Sequence, residues 1–371
     1  MFWLNGLKTI QLKIKKTKIL FILPHLKAGG AERVVSSIFK NLDRTIFEPY
    51  LVVLGFEKED QYSVEGENII YFNKKRLRSA LVDIIIIIKK LKPSIVFGSI
   101  GHINVYLGFL KFFFPKIKFI AREANVFSLM RTFNSKRQLP VSWLNFFYKN
   151  LDAIIYQSQD MRTDFERTFR VDSNKGFLIN NLITKTPIFS DLKRDFKSNA
   201  KIKFIIVGSL VKRKGHERVL ELLEKVNFNF VLEIIGDGPL SESLKQKLET
   251  SMIKNKVIFR GLQKDMEAIY TSADFLIQGS FVEGFPNVVL EALSFGIPCI
   301  VFDAPGGHRE MIIENKNGYF IKNKEEASEV IERAIRNNWD RVNIQKDAFA
   351  RFGTKKIIKQ YETTFLKIKN Q

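Results

Sequence analysis

The sequence has a single cysteine in 371 residues, Cys299. It cannot close an internal disulfide. In the apolar run Ile297-Pro298-Cys299-Ile300-Val301 it reads as a buried strand residue rather than a reactive thiol, which fits a reducing compartment. Histidine is also scarce: the four residues, at 25, 102, 216 and 308, are far from any zinc spacing. No Asp-x-Asp triplet occurs, so a carboxylate clamp for a divalent cation has no obvious ligands. No run is long and apolar enough to span a bilayer. Leu81–Leu91 holds five consecutive isoleucines but is short and closed by Lys89 and Lys90. Ser94–Phe114 is interrupted by Gly98, Gly101, His102, Asn104 and Lys111, and divides better into a strand followed by a helix. Near the start, Lys8, Lys13, Lys15, Lys16 and Lys18 break every apolar stretch, so no signal peptide is read.

Acidic residues are few as well, 39 against 60 Lys and Arg, for a net charge of +21. The excess is unevenly placed. Between Tyr71 and Asn150 there are 15 Lys and Arg and only Asp83 and Glu123, a net of +13 in under a quarter of the chain. Phe109, Phe112, Phe113, Phe114, Trp143, Phe146 and Phe147 are interleaved with these bases. Bases alone suit nucleic acid or an anionic membrane; bases mixed with aromatics suit a lipid headgroup region. The expectation is a cytoplasmic protein in peripheral contact with the inner face of the cytoplasmic membrane, with no nucleic-acid partner.

The length exceeds what one hydrophobic core usually supports, which predicts two domains. Lys18–Pro24 is a short apolar run ending in the loop Lys27-Ala28-Gly29-Gly30, and Ala31–Leu42 has helical spacing. Strand, glycine loop and helix form the opening unit of a doubly wound α/β domain. Further apolar runs follow at 50–55, 69–72, 95–99, 118–122 and 153–157. Thr184–Ala200 lacks periodicity and reads as a linker. A second alternation starts at Lys203–Ser209 and continues through 230–236, 256–261, 274–278, 298–302 and 318–321. Continuous apolar strands imply parallel sheets covered on both faces. The expected division is 1–184, a linker at 185–200, 201–350 and a C-terminal helix in 351–371 that packs back on the first domain.

The richest segment is Phe281–Leu293, a loop after a strand that runs into a helix with Pro286 at its start. A helix N-terminus carries roughly +0.5 charge and free N–H groups, so it can seat a diphosphate. Glu283 outside the helix and Glu291 one to two turns inside could grip hydroxyls on either side of that diphosphate. Either glutamate taken alone could equally be an ordinary surface acid. However, Val207–Gly215, with Gly208, Ser209, Arg213 and Lys214, also follows a strand. So do Ile235–Pro239 with Gly238, Arg260-Gly261-Leu262, and Asp303–Glu310. Four such loops fall on one edge of one sheet, where open α/β sheets bind ligands.

This series resembles glycosyltransferase family 4, the retaining GT-B enzymes that include bacterial polysaccharide and lipid-linked glycan transferases. The resemblance covers nearly the whole chain, and its most specific element is the pair of glutamates separated by seven residues, Glu283 and Glu291. It implies that Glu283 contacts the donor sugar, Glu291 the ribose, and Lys214 the diphosphate. It also implies close donor access at Gly29 and Gly30, phosphate contacts from Asn287 and Val288 beside Gly284, Phe285 and Pro286, and a base flanked by Arg260–Leu262. Two departures stand out. Ser209 replaces the arginine common in Gly-Arg-Leu, with Arg213 as a substitute cation. The loop Ala121-Arg122-Glu123-Ala124-Asn125 lacks the family's frequent histidine, which leaves Arg122, Glu123, Asn125 or His102 as sugar or acceptor contacts.

The implied activity is transfer of a hexose or N-acetylhexosamine, with UDP-linked donors favoured, to a membrane-associated glycan acceptor in surface polysaccharide synthesis. Neither a metal nor a cofactor is expected beyond the nucleotide sugar. A sugar-nucleotide 2-epimerase of the same two-domain fold is the alternative. A dehydrogenase is disfavoured because Gly29-Gly30 lacks the third glycine of Gly-x-Gly-x-x-Gly.

Overall fold

The computed structural model describes residues 15–27, 29–60, 64, 68–133, 138–184 and 201–371. The N-terminal lysines through Lys13 and the 185–200 segment read as a linker lie outside the described residues.

Seven strands form a first sheet: β1 (Thr17–Leu23), β2 (Phe47–Val53), β3 (Ile69–Tyr71), β4 (Ile95–Ser99), β5 (Lys118–Arg122), β6 (Ala153–Tyr156) and β7 (Gly176–Leu178). Their order is β3-β2-β1-β4-β5-β6-β7, and every pairing is parallel. Six more form a second sheet: β8 (Ile202–Val207), β9 (Phe230–Ile235), β10 (Val257–Gly261), β11 (Phe275–Gln278), β12 (Cys299–Phe302) and β13 (Gly318–Ile321). Its order is β10-β9-β8-β11-β12-β13, again all parallel. Both are doubly wound sheets. Each reverses direction once, between β1 and β4 in the first and between β8 and β11 in the second, and these reversals open crevices at the carboxyl ends of the strands. Apart from β7, the strands match the apolar runs of the sequence to within three residues at either end. At three residues, β7 is too short to register as a pattern.

The strands are apolar throughout because helices cover both faces. On the first sheet, Val34, Val35, Ile38 and Phe39 of the Gly30–Asn41 helix fill one side, and Ile84, Ile88, Leu107, Leu144 and Phe165 fill the other. The isoleucine run is the helix Leu81–Leu91; only Ile84 and Ile88 of its isoleucines are fully buried, since helical geometry turns them inward one turn apart. Gly108 lets the Gly101–Leu110 helix pass close to the Val141–Lys149 helix, because a Cβ there would strike the carbonyl of Phe147. Cys299 is buried in β12, and burial pushes its thiol pKa up.

The last helix, Thr354–Asn370, returns to the first sheet. Its Ile357, Tyr361, Phe365 and Ile368 enter the same core as Ile19, Phe21 and Phe97, with the Phe365 and Phe97 rings 5.6 Å apart. Each such side chain adds about 1.5–3 kcal/mol when fully buried. The preceding helix, Arg341–Phe352, belongs to the second core, so the chain crosses over at Gly353. There Ile183 N donates to Phe352 O (2.9 Å) and Thr354 Oγ1 to Ile183 O (2.6 Å), which ties both crossing segments together.

One candidate sugar or acceptor contact is corrected by this packing. Arg122, at the end of β5, is buried. Its guanidinium donates to Tyr361 Oη of the returning helix (3.2 Å), Ser99 Oγ of β4 (3.1 Å) and Asn181 Oδ1. The burial of β5 and the docked helix above it engage all three guanidinium nitrogens with the protein itself. Arg122→Ala is therefore expected to leave these partners unsatisfied and lower unfolding stability by about 2–4 kcal/mol, measured as a shift in urea midpoint at constant slope.

Candidate active site

The loop after β8 and the loop after β11 lie backbone against backbone. A Cβ on Gly215 would run into the carbonyl of Gly279, and one on Gly279 would meet Gly215 in turn, so glycine is needed on both sides. Gly215 also has φ +59°, where glycine is least strained. Phe281 N donates to Arg213 O (2.8 Å), and Arg213 Nη1 to Val282 O (3.2 Å), completing the seam.

This seam delivers two cations to one carboxylate. Lys214 Nζ lies 2.5 Å from Glu283 Oε1, and Arg213 Nη1 lies 3.1 Å from Glu283 Oε2. Ser280 Oγ (2.6 Å) and Gln278 Nε2 (3.1 Å) also donate to Oε1, and His308 Nε2 sits 2.9 Å from Gln278 Oε1. Glu283 is thus buried in a fully hydrogen-bonded pocket. Burial alone raises its pKa. The charges of Lys214 and Arg213, with the hydrogen bonds from Lys214 and Ser280, outweigh that and bring it down to about 2. Burial, aided by Lys214, lowers the neighbouring His216 to about 4, and His308 is held below its usual value chiefly by burial.

Glu291 lies on the helix Asn287–Ser294. Its Oε2 accepts from Tyr270 Oη (2.8 Å) and its Oε1 from Arg33 Nη1 (3.2 Å), a residue of the first lobe. Pro286 is the residue before the first helical turn rather than its first member, and Val288 is half-buried in that turn. Asn287 Nδ2 donates to Gly30 O (3.1 Å), and Asn287 Oδ1 accepts from Asn181 Nδ2 (2.7 Å). Gly30 opens the facing helix and Gly29 precedes it. A Cβ on Gly284 would strike the carbonyl of Ala124, so the β5 loop, with Asn125 half-exposed, abuts the Glu283 loop directly. Ala28, between them and Lys27, lies outside the described residues.

Several candidates stand differently from expectation. Phe285 faces the core, its ring 5.6 Å from that of Phe352, so only its backbone is at the site. Arg260 reaches back along the sheet to Glu233 Oε1 (2.7 Å), which Lys203 also contacts (2.9 Å), and this turns its guanidinium away from the strand end. Gly261 (φ +64°) and the exposed Leu262 remain at that end. Glu123 is buried: Asn104 Nδ2 (2.6 Å) and Tyr148 Oη (2.9 Å) donate to it, and burial raises its pKa. Its side chain supports the loop from beneath instead of facing a ligand. His102 is exposed at a helix start, its pKa lowered by partial burial and by His25. Arg213 is committed to Glu283, and Ser209 is exposed beside Gly208 (φ +151°), whose loop packs on Gly236. A Cβ on Gly238 would press on the Leu210 backbone. Among the described residues, no three His, Cys, Asp or Glu side chains cluster as metal ligands.

Arg33, Asn181, Tyr270, Gln278, Ser280 and His308 complete the site. Arg33 and His308 fall in motifs already singled out. Gln278 and Ser280 lie at the end of β11 and in the loop that leads into Glu283, whereas Asn181 and Tyr270 are recruited from distant elements, and none of the four carries a spacing of its own.

Two family models match the chain: Glycosyltransferase Family 4 over residues 28–185 and Glycosyl transferases group 1 over 189–351. The N-acetylgalactosamine-N,N'-diacetylbacillosaminyl-diphospho-undecaprenol 4-alpha-N-acetylgalactosaminyltransferase of Campylobacter jejuni is 24% identical over 84% of this chain and 87% of its own. The lipopolysaccharide 1,6-galactosyltransferase of Escherichia coli is 34% identical, but over 32% of this chain and 35% of its own. In structure, the chain is similar to Anabaena HepE in complex with UDP (TM-score 0.78, 17% identity, 95% of this chain and 100% of that one). It is also similar to the lipopolysaccharide outer core galactosyltransferase WaaB in its apo form (TM-score 0.73, 21% identity, 95% and 99%).

The Glu283 carboxylate is stabilised in the folded state, so its contribution is fully present above the unfolded carboxyl pKa of about 4.3 and is lost as pH falls toward 2. Urea midpoints of the wild type are expected to drop between roughly pH 5 and pH 2, and Glu283→Gln should flatten that part of the profile. Parallel profiles for the two proteins would refute the assignment.

Proposed function

Because the chain belongs to glycosyltransferase family 4 and has the GT-B fold, we propose that it is a retaining transferase. It moves a hexose or N-acetylhexosamine from a nucleotide sugar, UDP-linked by preference, to a membrane-associated glycan acceptor in surface polysaccharide synthesis. The observation that carries this reading is the 2.5 Å contact between Lys214 and Glu283 in the loops after β8 and β11, with Glu283 four residues before Asn287, which donates to Gly30 O of the first lobe.

Without donor, Lys214 and Arg213 bring two positive charges to one negative Glu283. An incoming diphosphate competes for those cations, and the start of the Asn287–Ser294 helix adds its N–H groups. Glu283 is held ionised at neutral pH, so an oxygen released by Lys214 accepts hydroxyls of the donor sugar. Glu291 exchanges Arg33 for the ribose diol while Tyr270 keeps its other oxygen in place. As the anomeric C–O bond breaks, the departing nucleoside diphosphate gains negative charge, and Lys214 stabilises it there. Fixed cations of this kind support a metal-independent reaction.

The UDP complex of the Anabaena structure supports a UDP-linked donor, and the Campylobacter relative's name supports a diphospho-undecaprenol-linked acceptor. Such an acceptor places the reaction at the inner face of the cytoplasmic membrane. Among the described residues no helix is long and apolar enough to cross a membrane, so contact of this part of the chain is peripheral in this reading.

The direct test is nucleoside diphosphate release from a panel of UDP- and GDP-sugars, with and without polyprenyl-diphosphate saccharides. NMR of the product should show the donor's anomeric configuration retained. Release without acceptor, accompanied by a 2-epimer, would favour the epimerase instead. Lys214→Ala is expected to lower kcat by about 10²–10³-fold. Glu291→Ala should raise donor KM about tenfold or more with a smaller effect on kcat. Chelation by EDTA should leave the rate unchanged; a loss restored by added divalent cation would overturn metal independence.

A further inference from the structure

One face of the first lobe does not behave like an ordinary protein surface. The Val141–Lys149 helix is apolar on both sides: Leu144 and Tyr148 enter the core, while Trp143 and Phe146 face outward. In the turn after the neighbouring Gly101–Leu110 helix, Phe112 and Phe113 also face outward. These four side chains are 51–65% exposed. They are not scattered. The Phe112 and Phe146 rings stack at 5.4 Å and 17°, and Phe109 packs edge-on against Phe113 (5.1 Å) and Phe147 (6.4 Å). Contiguous exposed apolar surface of this kind marks an interaction site.

Charge identifies the occupant. Lys116 and Lys149 are exposed on the same two segments, and Lys89, Lys90 and Lys92 are exposed at the end of the adjoining Leu81–Leu91 helix. Only two carboxylates occur between Tyr71 and Asn150. Asp83 is paired with Lys74 (3.5 Å), and Glu123 is buried beneath Tyr148. A second copy of this chain would therefore set cations against cations, and an acidic protein partner would not need four projecting aromatic side chains. An anionic bilayer satisfies both halves, taking the rings at headgroup depth and the lysines at its surface.

We propose that the aromatic face formed by Phe112, Phe113, Trp143 and Phe146 inserts into the headgroup region of an anionic lipid membrane. Contacts lead from this face toward the site. Arg131 Nη1 donates to Leu139 O (3.0 Å), just before the Val141–Lys149 helix, and Phe133 faces Phe281 of the Glu283 loop at 6.3 Å. The inference deepens the reading of a membrane-borne acceptor and rests on it only for its purpose, because insertion is measurable without turnover.

The test uses the full chain with vesicles of phosphatidylcholine, with and without phosphatidylglycerol, in flotation and in tryptophan fluorescence. Binding is expected only with phosphatidylglycerol and should weaken with salt. It should be accompanied by a blue shift and by quenching from bromolipids that Trp143→Phe abolishes. The double variant Phe112→Ser/Phe146→Ser should keep its thermal midpoint and its transfer to a water-soluble acceptor, yet lose at least about tenfold in vesicle affinity. Unchanged affinity of that variant, equal binding to uncharged vesicles, or stronger retention on duplex DNA than on vesicles would each overturn the proposal. Failure of the wild type to transfer sugar to any acceptor, with vesicle binding intact, would instead count against the transferase reading alone.

Discussion

The site depends on keeping one carboxylate ionised inside the protein. A buried, unpaired Glu283 would be neutral, since removing a charge from water costs far more than protonating it. Lys214 and Arg213 prevent that, and they can do so only because their loop lies in backbone contact with the loop of Glu283. Gly215 and Gly279 make this approach possible: any side chain at either position would hold the loops apart and move the cations away. The glycines, the two bases and the glutamate therefore act as one unit. It carries one positive charge in excess when empty, which an anionic ligand can neutralise on entering.

Around this unit the fold repeats one solution twice. Each sheet reverses its strand order once, and the helices that follow β1 and β11 meet through Arg33 with Glu291 and Gly30 with Asn287. The contacts that bridge the lobes are mostly polar. Arg33 meets Glu291, Asn287 meets Gly30 and Asn181, and Gly306 N donates to Asp160 Oδ2 (3.0 Å). Interfaces of this character come apart more readily than apolar ones. Apolar contacts cross as well: Val282 is buried in a core cluster of the first lobe, Phe133 faces Phe281, and the Thr354–Asn370 helix anchors the end of the chain to the first sheet.

The same economy explains the outer face of the first lobe. Helices such as Val141–Lys149 usually turn polar residues to water, and here the inward face is made by Leu144 and Tyr148 with Val141 packed beside them. Trp143 and Phe146 then contribute nothing to the core, and their exposure among lysines is a property of the surface.

Sequence alone determined the two parallel sheets, because runs such as Ile19–Leu23 and Phe204–Val207 are apolar at every position and leave no polar face for an exposed sheet. It also determined the loops that carry Lys214, Glu283 and Glu291, because glycine and charge follow directly after those strands. Tertiary structure decided everything that needs two distant segments at once. Arg122 looks like a free cation beside a ligand loop, yet a helix more than two hundred residues later buries it through Tyr361. Arg260 reads as part of a ligand-edge loop, but it lies in β10, where Glu233 of the adjacent strand turns it back. Tyr270 and Asn181 carry no spacing of their own and become part of the site only through their distant partners Glu291 and Asn287. Periodicity reports what a segment buries, whereas the direction of a polar side chain is set by whichever donor or acceptor the rest of the chain brings within reach.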